Sequence, residues 1–377
     1  MRCEIQSGRF LIVLMVLVGG LSSCCATSPT PNGRLAQQAP VASNDVDEYV
    51  KTEMAKQRIP GLSLAVVRQG KIIKAQGYGS ACLELNVPAT PQSLYGLGSI
   101  SKQFTATAIM LLVEKGQLRL DDKIVDRLDG LPDEWADVTV RHLLTHTSGI
   151  KEEQWKGGIV EFDRYEYRQE DVIKSAFGPL ESRPGEKFAY RNVGYRLLGM
   201  IIEKISHQSY WDFLDDHIFR PLGMTETRNS DPKTIILNRA RGYGRSGDKF
   251  HNRDAVTASA AFSEGALMSS VLDLAKWDAA LYSEILLKKS SLEQMWTPVK
   301  LNDGTTHPYG FGWLLNDTHG HKTISHGGGL PGFVTYIGRF VDYGLTVIVL
   351  TNCEDSDPQR IAQRVAGFFV PALAPRK

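Results

Sequence analysis

Ser99 and Lys102 stand three positions apart in GSISKQFTATAI, where a glycine-containing turn opens a long apolar helix. Residues at i and i+3 share one helix face, about 5 to 6 Å apart at Cβ. Backbone N–H groups and the positive end of the helix dipole then lie beside the hydroxyl. This layout suits nucleophilic catalysis: an amine in apolar surroundings gives up its proton more readily than a solvated one, and can then take the proton from a serine hydroxyl. The structural alternative is that Ser99 caps the helix and Lys102 is an exposed first-turn residue. Three other pairs share the spacing, Ser148/Lys151, Ser230/Lys233 and Ser246/Lys249. They sit among Gly, Pro, Asp and Arg, in loops that fix no geometry.

Two further stretches bear on the choice. Of 13 tyrosines only Tyr190 is followed two residues later by Asn, in FAYRNVGYRLLGMIIEK, just before a helix. Asn192 is either a cap or an amide that holds Lys102 and a substrate carbonyl, with the Tyr190 hydroxyl as proton relay. The segment ISHGGGLPGF runs from residue 324 to 333. Three glycines weaken a strand and make most sense where a backbone or a ligand comes close. Their amides can face a developing oxyanion, although a glycine-rich turn has the same composition.

Ser99-Ile-Ser-Lys102, Tyr190-Arg-Asn192 and His326-Gly-Gly328, in that order, resemble the three elements of the penicillin-binding-protein and class C β-lactamase superfamily of serine hydrolases. LLTHTSGI (143 to 150), PLGMTET (221 to 227), SEGALMSSVLDLAKW (263 to 277) and YGFGW (309 to 313) extend the resemblance over roughly residues 45 to 370. The resemblance implies Ser99 as acylated nucleophile, Lys102 as its base partner, Tyr190 as activator of serine or of the deacylating water, and Asn192 as orienter. It also implies an oxyanion hole made by the amides of Ser99 and Gly329, with no cofactor and no metal. His326 stands where many β-lactamases have a lysine, and Gly327 replaces a threonine. A histidine binds a substrate carboxylate less reliably at neutral pH. Members with His-x-Gly resemble esterases, or peptidases acting on small or D-amino-acid substrates, more than dedicated β-lactamases. Gly327, Gly328 and Arg191 are then the expected substrate contacts, Arg191 as a source of the missing positive charge.

These groups need a scaffold. Asp45 to Gln57 has helical spacing, and LSLAVV and IIKAQGYG flank the turn RQGK as a hairpin. TYIGRFV and LTVIVLTN form a second hairpin near the C-terminus, followed by a helix over Pro358 to Val370. Helical patterns dominate from Ile100 to about Trp296. Strands at both ends with helices between predict an α+β fold. It has an antiparallel sheet built from the N- and C-terminal hairpins, flanked by helices, with an inserted helical lobe and the site in the cleft between. The resemblance adds that this is the β-lactamase/DD-peptidase arrangement. The stretch 151 to 170, with Trp155, Tyr165 and Tyr167, is expected to rim the cleft, and 228 to 262 to form the opposite wall.

The N-terminus has another character. Arg2 and Arg9 precede an apolar run from Phe10 to Leu21, too short for a bilayer span of roughly 20 residues. Leu-Ser-Ser-Cys24 resembles a bacterial lipobox, so residues 1–23 read as a signal peptide and Cys24 as a lipidated residue. The alternative is ordinary cleavage near Ala26. Residues 24–44 read as a tether, and 45–373 as the hydrolase domain. Cys25 is not the aspartate associated with inner-membrane retention, so the expected location is a lipid anchor in the cell envelope, outer membrane favoured. Losing Arg2, Arg9 and Glu4 from 43 basic and 42 acidic residues leaves 41 of each. A formal charge of zero argues against nucleic acid as partner.

The expected function is a Ser99 acyl-enzyme acting on small carboxylic esters, or on amides or peptides. Peptidoglycan DD-peptidase or β-lactamase activity is the alternative within the class. A catalytically silent binding module is the rival of another class. An α/β-hydrolase reading of His326-Gly-Gly-Gly329 fails because no serine has Gly at both −2 and +2. His142 and His146 lack the Glu and third ligand of a zinc site.

Overall fold

The computed structural model describes residues 43–152, 165–253 and 255–374. Cys24, residues 25–42 of its tether and Trp155 lie outside them, whereas the last two tether residues, 43 and 44, already belong to the first helix. The chain opens with helix α1 (Ser43–Gln57) and then the hairpin of β1 (Gly61–Arg68) and β2 (Lys71–Cys82), extended by the short β3 (Val87–Pro88). Near the other end come β4 (Leu314–Thr318), β5 (His321–Leu330), β6 (Phe333–Phe340), β7 (Leu345–Thr351) and a closing helix, Pro358–Phe369. Together they form one seven-stranded sheet in the order β4-β5-β6-β7-β1-β2-β3. Its pairings are antiparallel. The first strand of the chain pairs with the last, Leu62 opposite Thr351 and Arg68 opposite Leu345.

The central strands read as continuous apolar runs because both faces are covered. Alternate side chains go to opposite faces. Leu62, Leu64, Val66, Val347 and Val349 face α1 and the C-terminal helix, whereas Ala65, Val67, Ile348 and Leu350 join the main core under the helical lobe. Ile361 and Val365 of the closing helix are fully buried; each side chain contributes roughly 1.5 to 3 kcal/mol of burial.

The lobe between the hairpins holds α2 (Ser101–Glu114), α3 (Val140–Leu144), α4 (Asn192–Ser206), α5 (Ala258–Gly265) and α6 (Val271–Ala280), among shorter pieces; the closing helix is α7. The expected α+β arrangement is the one observed. Of the two readings of ISHGGG, the glycine-rich turn fails and the close approach of another backbone holds: the segment is the body of β5. Gly328 explains its composition, since a Cβ there would lie 1.9 Å from the Leu97 carbonyl oxygen.

Candidate active site

Ser99 lies in a 3₁₀ turn, Gly98–Ile100, that runs directly into α2. Neither start carries a side-chain cap, so the capping alternative for Ser99 fails. Lys102 is fully buried and not an exposed first-turn residue. Its Nζ lies 3.0 Å from Ser99 Oγ, 2.8 Å from Asn192 Oδ1 and 2.9 Å from the Glu264 carbonyl oxygen. The rings of Tyr190 and Tyr195 flank it at 5.1 and 5.6 Å. An ammonium has three donors and here meets three acceptors. A neutral amine has two N–H groups, which Asn192 and Glu264 occupy, so its lone pair is left facing the serine hydroxyl.

Tyr190 reaches the same place from the start of α4. Its ring meets Lys102 and packs on His146 with centroids 4.2 Å apart, and the side chain stays 37% exposed. Arg191 is a correction. Its backbone is extended (φ −139°, ψ 131°), and neighbouring side chains of extended backbone point to opposite sides. Tyr190 and Asn192 therefore turn toward Lys102, while the Arg191 guanidinium pairs with Glu181 at 2.8 Å and does not line the cleft.

The cleft is about 430 Å³ and is lined by Ser99, Tyr190, His326 and Gly327 to Gly329, with Leu314, Val334 to Tyr336, and Ser356 to Gln359 beyond them. Gly98, in the left-handed region at φ 56°, presses against β5: a Cβ on it would lie 2.5 Å from the Gly329 amide nitrogen. Thr335 Oγ1 donates to the Leu97 carbonyl at 2.7 Å and ties the same turn to β6. The amides of Ser99 and Gly329 thus belong to one wall. The residues after β7 close the cleft where 228 to 262 was expected; that stretch lines a neighbouring pocket instead. Among the described residues neither Tyr165 nor Tyr167 lines the cleft.

Behind the cleft runs a chain of hydrogen bonds that fixes every tautomer. The Arg191 N–H donates to His146 Nδ1 at 3.2 Å, so a neutral His146 carries its proton on Nε2 and donates to the Tyr309 hydroxyl, also at 3.2 Å. His326 Nδ1 faces the Gly327 carbonyl at 2.6 Å and must donate there. Its Nε2 then accepts from the Tyr309 hydroxyl at 3.1 Å. Burial lowers the pKa of both rings, His326 to about 4 and His146 well below the ordinary value, with the Lys102 charge adding to the effect. Both are neutral at pH 7. His326 therefore offers a substrate no positive charge.

The Beta-lactamase family model matches residues 46–369. The chain belongs to the β-lactamase family of serine hydrolases. It is 36% identical over 304 residues to penicillin-binding protein 4* of Bacillus subtilis strain 168, covering 76% of this chain and 66% of that protein. Protein flp of Staphylococcus aureus strain MW2 is 28% identical over 330 residues, 83% of this chain and 64% of flp. The chain thus spans about two thirds of the length of these curated relatives. Among solved structures, the octameric penicillin-binding protein homologue from Pyrococcus abyssi superposes with a TM-score of 0.73 at 31% identity, over 87% of this chain and 77% of that one. D-amino acid amidase from Ochrobactrum anthropi SV3, solved with L-phenylalanine amide, gives 0.77 at 25% identity, over 87% and 99%.

Several groups of this β-lactamase-family site carry no signal in the sequence read alone. Glu264 supplies a main-chain carbonyl to Lys102, and its side chain pairs with Arg196 at 3.0 Å, both nearly buried. Glu152 accepts the Asn192 N–H on both oxygens, at 3.1 and 2.9 Å, and burial followed by repulsion from Glu264 raises its pKa. His146 and Tyr309 lie inside the stretches LLTHTSGI and YGFGW, a link that only their contact in space reveals. His142 acts locally, its Nδ1 accepting from the Thr139 N–H at 3.1 Å. Cys82 and Cys353 are free thiols. Of the other Ser/Lys pairs, Ser246 and Lys249 face each other across a small hairpin and Lys233 pairs with Glu166; none of these residues lines the cleft.

Proposed function

We propose that this chain is a hydrolase that works through an acyl-enzyme on Ser99. The observation that carries the reading is the position of Lys102 Nζ, held by Asn192 and Glu264 within 3.0 Å of Ser99 Oγ. Lys102 as neutral amine takes the hydroxyl proton while Ser99 Oγ attacks the acyl carbon. The amides of Ser99 and Gly329 receive the oxyanion; one such donor is typically worth about 10²–10³ in rate. The Tyr190 hydroxyl passes the proton to the leaving group, whose bond to the acyl carbon then breaks. Water attacks the ester carbonyl of the acyl-enzyme along the same path in reverse and restores Ser99. Asn192 steadies Lys102 and the substrate carbonyl, and Gly327 and Gly328 give the substrate backbone close access.

The substrates we infer are small carboxylic esters, amides or peptides. The neutral His326 supports these over substrates whose carboxylate needs a fixed cation at that point. Likeness to D-amino acid amidase supports the amide arm. Likeness to penicillin-binding protein 4* keeps peptidoglycan peptides among the candidates. We also propose that Cys24, outside the described residues, anchors the protein to an envelope membrane; loss of radiolabelled palmitate incorporation in Cys24→Ala tests this.

The deciding experiment is intact-protein mass after brief exposure of wild type and Ser99→Ala to p-nitrophenyl acetate, D-phenylalanine amide and benzylpenicillin. A Ser99-dependent acetyl adduct or sustained nitrophenol release supports an esterase. Amide turnover supports an amidase or peptidase, and a long-lived penicillin adduct a peptidoglycan peptidase. If none of the three modifies or is consumed by the wild type, the catalytic reading falls and a binding module replaces it.

A further inference from the structure

The substrate cleft has a neighbour. Strand β5 lines the cleft with His326 to Gly329, and its next residue, Leu330, lines a second pocket of about 240 Å³. Gly96, three residues before Ser99, lines this second pocket too: a Cβ on it would lie 3.1 Å from Leu330 Cδ1 and 3.4 Å from the Phe333 ring. At about 3.3 Å of rise per strand residue, Leu330 is one step beyond the Gly329 amide. The pocket therefore lies beyond Gly329, along β5 in the direction away from His326.

Its wall combines apolar side chains, Leu330, Phe333 and Val256 among them, with Arg239, Arg241 and Arg253. Arg253 pairs with Glu354 at 2.8 Å. Arg239 donates one Nη to the Asp231 carbonyl oxygen at 2.5 Å, and its buried Nε has no partner among the described residues. The Asp231 carboxylate is turned away, accepting from Lys233 N and Thr234 Oγ1. Arg241 has no hydrogen-bond or ion-pair partner for its guanidinium among the described residues. Among the described residues, three guanidinium groups thus share one directly paired carboxylate, Glu354, with Asp231 acting on Arg239 only through space, in a cavity whose other side chains are apolar except Ser230. An unmatched guanidinium fork suits a carboxylate, which it can bind bidentately. The apolar wall suits methylenes.

We infer that this pocket receives the acyl side of the substrate and selects acyl groups that end in a carboxylate carried on a short methylene chain. The inference rests on the Ser99 acyl-enzyme reading and deepens it. It also places the site's positive charge where His326 does not supply it.

The test compares mono-p-nitrophenyl esters of succinic, glutaric and adipic acid with the butanoate, pentanoate and hexanoate esters. Ser99→Ala is run in parallel to subtract spontaneous hydrolysis. The expected result is a diacid preference in kcat/KM of about tenfold or more for at least one chain length, in line with a hydrogen-bonded charge. The ratio of diacid to neutral rate should fall to within about threefold in Arg241→Gln, recover in part in Arg241→Lys, and shrink as salt is raised. Arg241 is exposed, and a thermal melt checks that each variant is folded. Neutral esters hydrolysed without any diacid preference overturn this pocket and leave the Ser99 reading standing. A preference that survives Arg241→Gln and Arg239→Gln also overturns it. No hydrolysis above the Ser99→Ala background overturns both.

Discussion

Lys102 Nζ and the main-chain carbonyl oxygen of Glu264 lie 2.9 Å apart across 162 positions of sequence. The carbonyl is aimed by the backbone at Phe262, whose φ of 26° and ψ of −131° fall outside the regions open to a bulky residue. Gly199 makes the bend possible, since a Cβ there would lie 2.2 Å from Ser263 Oγ. The Arg196 pair holds the other end of Glu264. Removing one partner of a buried ion pair typically costs about 3 to 5 kcal/mol because the other charge is stranded. Arg196→Met should therefore lower the urea midpoint sharply and slow Ser99 acylation, and the isosteric Glu264→Gln should do less of both. Equal stability of Arg196→Met and wild type would mean the pair does not hold this carbonyl.

The glycines of β5 separate packing from chemistry. Gly328→Ala drives a methyl into the Leu97 carbonyl oxygen, 1.9 Å from the ideal Cβ, whereas a Cβ on Gly329 meets nothing within 4 Å. Gly328→Ala should push the Ser99 turn away from β5 and lower kcat by about 10²–10³, the scale of a lost oxyanion donor, with a loss of stability. Gly329→Ala should fold as wild type. Side-by-side melts and ester kinetics decide it, and equal stability of the two variants would rule the collision out.

Much of this molecule is written locally. The hairpins at both ends, the helix that begins at Asn192 and ends at Ser206, and the closing helix each follow from a run of residues with one period. The Ser99/Lys102 pair is readable because both partners lie within one turn. What escapes is contact between distant segments. His146 meets Tyr309 across 163 positions, and Lys102 meets Glu264 through a backbone atom that no side-chain pattern marks. Arg191 misleads for a plain reason: adjacency in sequence suggests proximity to the site, yet extended backbone turns every second side chain away. The cleft wall at Ser356 to Gln359 escapes because it is the end of the short connection after β7 and the first two residues of α7, Pro358 and Gln359.

The buried histidines set the acid limit of the fold. His326 titrates near 4 in the folded protein and near 6.5 when unfolded, so between these values the unfolded chain binds more protons. Stability is then complete above about pH 6.5 and falls as pH drops toward 4. A gap of this size corresponds to roughly 3 kcal/mol, and His146, shifted the same way, adds to it. Glu152, raised by burial, acts in the opposite sense, so the readout is a difference. Urea midpoints of His326→Gln should fall less steeply than those of wild type from pH 7 to pH 5; parallel slopes would exclude His326 as the source.

Tyr309 is the link on which both histidines depend. Its hydroxyl accepts from His146 Nε2 and donates to His326 Nε2, and the side chain is fully buried. Burial also holds its pKa well above the ordinary value, so it stays a phenol at working pH. Tyr309→Phe keeps the ring and removes the oxygen, leaving two buried ring nitrogens unpaired at roughly 1 to 3 kcal/mol each. The expected outcome is a lower urea midpoint with an unchanged m value, because the core keeps its shape. His326 lines the cleft, and with Nε2 released its ring is held only by the bond from Nδ1 to the Gly327 carbonyl. Ester hydrolysis should therefore slow, though by less than in Ser99→Ala, which removes the nucleophile itself. A midpoint shift worth less than about 1 kcal/mol, below the cost of even one stranded nitrogen, would show that His146, Tyr309 and His326 do not act as one hydrogen-bonded chain.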